Sequence, residues 1–169
     1  MTTDGAGRAG DGSGATGGRG GRTSTPASLA AVALLGTVPV SVQTFARPGS
    51  GVSVVFPWGL FNTAPPHVTT VLEFLFVYTS GLPEFILAWP LSVGLWLLAL
   101  ASATVGVAVG REDVRVTALL LVLAGVAALS VSTGFSVQPY RTGYPVGPLA
   151  AWLVAWWFYA PAVRESLPV

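Results

Sequence analysis

Few residues of this chain can do chemistry. Six of them flank its apolar runs: Arg47, His67, Glu73, Glu84, Gln138 and Arg141. His67 is the only histidine, and an imidazole is the side chain best suited to move protons near neutral pH. A metal site needs three or four ligands, and only Glu73 and Glu84 lie near enough in the chain to join His67. Two carboxylates can also divide acid and base roles, although their spacing sets no fixed separation. The same two acids are positioned to pair with Arg47 and Arg141, and ion pairs at the edge of a membrane domain mark pathways or binding sites. Gln138, beside Arg141, adds an amide to this polar set.

Against these candidates stands a long record of absence. The sequence has no cysteine, which excludes thiol nucleophiles, disulfides and Cys-held metals. All eight basic residues are arginine, so no lysine Schiff base can form. No GxSxG, HExxH or P-loop occurs. A literal GxGxxG spans residues 12–17, but it neither follows a strand nor opens a helix, and it has no mechanism without them. The net charge of +1 gives no footprint for nucleic acid. The expectation is therefore no catalytic centre, no metal and no cofactor.

The elements that hold these residues must be membrane elements. Hydrophobic residues make up 52% of the chain and charged residues only 9%, against about 25% charged in soluble domains. Residues 1–25 are Gly-rich with almost nothing large to bury, and they read as a disordered tail. Four apolar runs follow, at about 26–45, 85–110, 116–137 and 146–163, each near the roughly 20 residues that cross a bilayer. Pro26 suits the first turn of the first run. A cleaved signal peptide ending near Thr44-Phe45-Ala46 is the competing reading of that run. Residues 52–82 are apolar, aromatic and interrupted by proline. Within them, residues 68–80 carry Thr69, Thr70, Glu73 and Ser80 on one side of a helical wheel and Val71, Leu72, Leu75 and Phe76 largely on the other. This stretch reads as a short helix in the outer interface, and residues 165–169 as a C-terminal tail. The expected fold is an all-α membrane protein: a four-helix bundle with one short interfacial helix.

Charge sets the orientation. Four spans with an inner N-terminus leave Arg8, Arg19, Arg22, Arg111, Arg115 and Arg164 inside and Arg47 and Arg141 outside, as the positive-inside rule asks. A fifth span over residues 68–89 would balance the two sides and place Glu73 in lipid, at a cost on the order of a few kcal/mol. Both termini are expected in the cytoplasm of a multi-pass cell-membrane protein.

Three weaker patterns remain. Ser41-Val42-Gln43 with Arg47 and Ser136-Val137-Gln138 with Arg141 end two outward-going runs in similar words, as a duplicated hairpin would. Small residues recur four apart at Ala27/Ala31, Ala99/Ala103, Gly106/Gly110, Ala124/Ala128 and Ala151/Ala155, spacing that lets helices approach closely. Trp152, Trp156, Trp157 and Tyr159 read as an interfacial belt.

The Gly/Asp/Arg tail, the lack of lysine, and apolar runs joined by Pro57-Trp58-Gly59 and by Gly81-Leu82-Pro83-Glu84 resemble small uncharacterised multi-pass membrane proteins of haloarchaea. The resemblance implies a membrane protein and assigns no residue a role. With minimal soluble parts and no catalytic constellation, the expected function is a non-enzymatic accessory or interaction component, with the lipid bilayer and a membrane protein or a second copy as partners. A small transporter or channel using the outer charges, and a membrane enzyme with an outward site at His67, are the alternatives.

Overall fold

A computed structural model describes residues 24–46, 51–77, 84–110 and 113–166. The glycine-rich tail up to residue 23, its GxGxxG, Arg47 and residues 167–169 lie outside the described residues, as do the side chains of Glu84 and Glu165.

The structure overturns the all-α expectation. A five-stranded antiparallel sheet of order β4-β3-β2-β1-β5 sits at one end of the helices. Its strands are β1 (Ser41–Phe45), β2 (Val52–Val55), β3 (Gly59–Thr63), β4 (Pro66–Thr70) and β5 (Arg141–Tyr144). Three helical segments are long and apolar enough to cross a membrane: Phe85–Val109, Val114–Ser136 and Val146–Arg164, of 25, 23 and 19 residues. At about 1.5 Å per residue, each can cover most or all of a hydrocarbon core roughly 30 Å thick. This is a membrane protein with a sheet at one end of its helices.

The first apolar run is where helix gives way to sheet. Helix α1 (Pro26–Leu34) opens on a capping box in which Thr25 Oγ1 accepts from Ser28 N and Ser28 Oγ accepts from Thr25 N. One 3₁₀ turn, Leu35–Thr37, follows, and Val38 is already extended. Pro39 disfavours helix at the residue before it and offers no N–H to continue one. The helical part is about 20 Å long by these rises, short of a full span, and the remainder of the run is β1. The Ser41–Phe45 word alternates, with Ser41 and Gln43 buried and Val42 and Thr44 on the other face. Alternation of this kind marks a strand, and averaging hydropathy over a long window hides it. The proposed cleavage point at Thr44-Phe45-Ala46 falls in this paired strand and the residue after it.

Residues 52–77 likewise hold three strands and one short helix. Strands β2 and β3 turn through Pro57-Trp58, where Phe56 N donates to Gly59 O at 2.7 Å. The interfacial helix shrinks to α2 (Val71–Phe76). Thr70 Oγ1 accepts from Glu73 N, and Glu73 accepts from Thr70 N, so the Thr-x-x-Glu box fixes where strand ends and helix begins.

Helices α3 (Ala88–Val109) and α4 (Val114–Ser136) form the central hairpin. Gly110 takes the left-handed φ of 67° that closes α3, and Asp113 Oδ1 caps α4 at Arg115 N. Helix α5 (Val146–Val154) passes through a π-helical turn, Ala155–Tyr159, into α6 (Ala160–Ser166). Ala99, Ala103 and Gly106 of α3, Ala124 and Ala128 of α4, and Ala151 and Ala155 are buried. These small residues thus serve packing within the chain, where lipid supplies no hydrophobic drive and close backbone approach must, whereas Ala27 and Gly110 are exposed and Ala31 is only partly buried.

Tryptophans tie the layers together through backbone carbonyls. Trp96 Nε1 donates to Val32 O of α1 at 2.8 Å and Trp152 Nε1 to Val122 O of α4 at 3.1 Å. Trp96 lies against Gly36 and Trp152 against Gly125, where a Cβ would clash with the ring. An indole N–H buried in apolar surroundings needs such an acceptor. The outward positions of the helices are Leu91, Leu97, Leu98, Val105, Leu119, Val126 and Leu153, all exposed, as a lipid-facing surface requires.

Candidate functional site

The sheet turns a mixed face to the helices, with Val55 and Leu60 packed in the core beside a polar row. Residues opposed across an antiparallel ladder point to the same face, so the register reads out both faces. One row runs Gly143–Gln43–Ser53–Asn62–His67 from β5 to β4. The row beside it runs Tyr144–Val42–Val54–Phe61–Val68 and lies on the opposite face. The first row faces the helices. Gly143 sits so close to α4 that a Cβ would lie 2.4 Å from Ser132 O, and its N donates to Ser136 Oγ at 2.9 Å. The polar row is therefore turned inward and the apolar row outward.

The inner row carries a polar track from the protein's surface into its interior. His67 is exposed, Ser53 is buried and bonded to the Asn62 carboxamide oxygen, and Gln43 is 1% exposed. Gln43 Nε2 and the Ser41 hydroxyl have no hydrogen-bond partner among the described residues. A buried donor without an acceptor costs about 1–3 kcal/mol, so this corner of the sheet is held in place by its surroundings. Ser41, Gln43, Ser53 and Asn62 are the polar residues that reading by hydropathy passed over, and period-two alternation is the signal that finds them.

The candidate residues do not converge. His67 lies on edge strand β4 and Arg141 on edge strand β5. Four strand spacings of about 4.8 Å separate these edges, roughly 19 Å. Glu73 turns back on its own helix: Oε2 accepts from Thr70 N at 2.9 Å and from Thr70 Oγ1 at 3.0 Å. Those bonds hold its carboxyl below the ordinary carboxylate range, with His67 a lesser contributor. Glu84 opens the 3₁₀ turn Glu84–Leu87 before α3. Gln138 is exposed in the turn after α4, where its carbonyl accepts from Arg141 N at 3.3 Å. Among the described residues no three His, Asp or Glu side chains gather as a metal site would require.

The two similar words also occupy unlike places. Ser41-Val42-Gln43 is strand, whereas Ser136 ends α4 and Val137-Gln138 is turn.

Glu73 offers a test by pH. A carboxylate with a depressed folded pKa stabilises the fold above its unfolded pKa and loses that contribution as pH falls through the folded value. Glu73→Ala is expected to lower the melting temperature at neutral pH, with the gap to wild type closing below the usual carboxylate range. A gap that stays constant down to the acid limit would contradict the capping role. Thr70→Ala, which removes the other half of the box, is expected to cost about 1 kcal/mol.

Arg141 is set differently. Tyr140 takes a left-handed φ of 64°, turning the chain sharply from α4 into β5. The Arg141 guanidinium then lies 4.5 Å from the Phe45 ring centre and 4.9 Å from that of Phe135. Desolvation alone lowers its pKa, and among the described residues no carboxylate comes within salt-bridge distance.

Beneath the sheet a cavity of about 40 Å³ is walled mainly by Leu35, Val38, Val40, Trp96, Leu121 and Ala128. It has room for little more than a water molecule and is apolar, unlike a solute path.

The family model described as a domain of unknown function, DUF8050, matches residues 9–168. No curated protein and no solved structure matches the chain. The match spans the sheet and every helix, and the chain belongs to the DUF8050 family.

Proposed function

We propose that this protein is a membrane-embedded, non-enzymatic interaction component that presents its sheet to a partner membrane protein. The observation that carries the reading is the outward apolar row. Phe61 is 36% exposed, Val68 48% and Tyr144 50%, and Trp58 at the β2–β3 turn is 52% exposed. Apolar side chains aligned across five strands on a face turned away from the helices suit a protein–protein contact. The edge of β4 suits face docking better than strand addition: Pro66 has no N–H, and Thr70 N is taken by Glu73.

The charges support a sidedness. Arg115 and Arg164 lie at the ends of α4 and α6 remote from the sheet, and Arg141 lies on the sheet side. With Arg111, which falls between α3 and α4 in the sequence, the positive-inside rule favours the sheet on the outer side of a multi-pass cell-membrane protein with both termini in the cytoplasm. The lack of lysine suits a high-GC source, haloarchaeal or actinobacterial. The transporter and enzyme readings draw less support, since His67 and Arg141 stand at opposite edges and Glu73 is committed to Thr70.

The test is purification of the intact protein in mild detergent, with native mass and composition of the complex. Wild type is expected to carry a stoichiometric partner, and Phe61→Asp and Val54→Asp to lose it while keeping the same thermal unfolding profile. A clean homomeric species with the same mass in wild type and variants would overturn the proposal.

A further inference from the structure

Arg141 is an exacting group to leave without a partner among the described residues. A guanidinium offers five N–H donors in a planar fork and accepts nothing. None of the five meets an acceptor among the described residues, and no carboxylate offsets the charge. Yet the side chain is half-buried and rests against Phe45 and Phe135. Phe135 is itself braced edge-on by Phe85 at 5.2 Å. Contact with aromatic faces offsets part of the lost hydration and leaves the hydrogen-bonding capacity unspent.

Place narrows the ligand. Arg141 begins β5 a few residues after Ser136, the last residue of the 23-residue apolar α4. It lies on the face of the sheet turned toward the helices, and β5 is an edge strand. That puts the fork between the sheet and the end of a membrane-spanning helix, at headgroup depth, on a side open to lipid. Exposed Tyr140 precedes it in the chain, and aromatic side chains are common at that depth. The anion abundant there is phosphate, whose oxygens match the fork two at a time.

We propose that Arg141 forms a phosphate site at the sheet-bearing surface of the membrane, and that its ligand is the phosphate diester of a lipid headgroup. This goes beyond the docking role, since it uses the opposite face of the sheet and needs no partner protein.

Intact protein in a nonionic detergent is titrated separately with dioctanoyl phosphatidylglycerol, dioctanoylglycerol and inorganic phosphate, and followed by native mass spectrometry and thermal unfolding. Wild type is expected to retain one phosphatidylglycerol and to melt higher with it, to gain nothing comparable from dioctanoylglycerol, and to bind inorganic phosphate far more weakly. Arg141→Gln is expected to bind the phospholipid at least tenfold more weakly. Arg141→Lys, which keeps the charge and loses the fork, is expected to bind several-fold more weakly, and serves alone if Arg141→Gln does not fold. Equal retention by wild type and the Lys variant, or equal effects of the two lipids, would overturn the site. Inorganic phosphate matching the phospholipid would overturn the lipid assignment.

Discussion

Trp89→Ala is expected to destabilise the protein by about 3–5 kcal/mol, the usual range for deleting a buried large aromatic side chain. Trp89 is 3% exposed and belongs to the cluster that joins sheet to helices, with Val40, Val55, Ala128 and Val131. Its Nε1 donates to Phe56 O at 3.0 Å, at the turn between β2 and β3. Phe74 of α2 meets its ring edge-on at 5.5 Å. One residue near the start of α3 therefore holds the sheet, α2 and the helical hairpin together. Truncation opens a cavity and leaves Phe56 O with only the longer 3.4 Å bond from Gly59 N. Trp89→Phe keeps most of the apolar bulk and loses only the N–H, so it is expected to cost less, on the order of 1–2 kcal/mol. Thermal unfolding in detergent, with limited proteolysis reporting on residues 52–77, separates the two. An alanine variant that melts with wild type and resists protease equally would show that the sheet is held elsewhere.

Gly143→Ala is expected to be destabilising by about 1–3 kcal/mol, as overpacking at a rigid contact usually is. The atom that a Cβ would meet first is a backbone carbonyl, Ser132 O at 2.4 Å, with Ser136 Oγ at 3.1 Å. A side chain could rotate away; the carbonyl of a packed helix cannot. Relief must come from lifting β5 off α4, which also strains the Gly143 N to Ser136 Oγ bond. Gly94 is the matched control. It lies inside α3 with nothing within 4 Å of its missing Cβ, so Gly94→Ala is expected to be neutral or stabilising by up to about 1 kcal/mol. The same chemical change should move melting temperature in opposite directions at the two sites. A Gly143→Ala protein as stable as wild type would remove close β5–α4 packing as the reason for glycine there.

Hydropathy finds the three long helices because lipid demands one uniform property over some twenty residues. The α3–α4 turn is equally readable, with Gly110 closing one helix and Asp113 opening the next. The sheet escapes the same reasoning because its strands are four or five residues long and sit beside or within apolar runs. Ser41 to Phe45 extends the apolar run that begins at Pro26, and only the position of Pro39 and the alternation of Ser41, Val42 and Gln43 give the strand away. The Thr70-x-x-Glu73 box was also present as a helix start, and recognising it would have ended the preceding strand at Thr70. It would also have assigned Glu73 a local partner in place of a distant arginine. Other features have no local signature. Nothing in Arg141-Thr-Gly-Tyr144 announces that it pairs with β1, and the aromatic setting of Arg141 depends on that pairing.

That pairing has a consequence for how the molecule comes into being. Strands β1 to β4 follow one another as hairpins and can pair as soon as they are made. The remaining edge of β1 is met by β5, roughly 100 residues later in the chain, so closing it carries the entropic cost and delay of a long-range contact. Until the α3–α4 hairpin has been placed, β1 presents unpaired backbone beside an apolar face, the kind of edge that recruits other chains. The short segment between α4 and α5 is thus the latch of the fold, and correct insertion of the helical hairpin decides whether the newly made sheet is sealed or left adhesive.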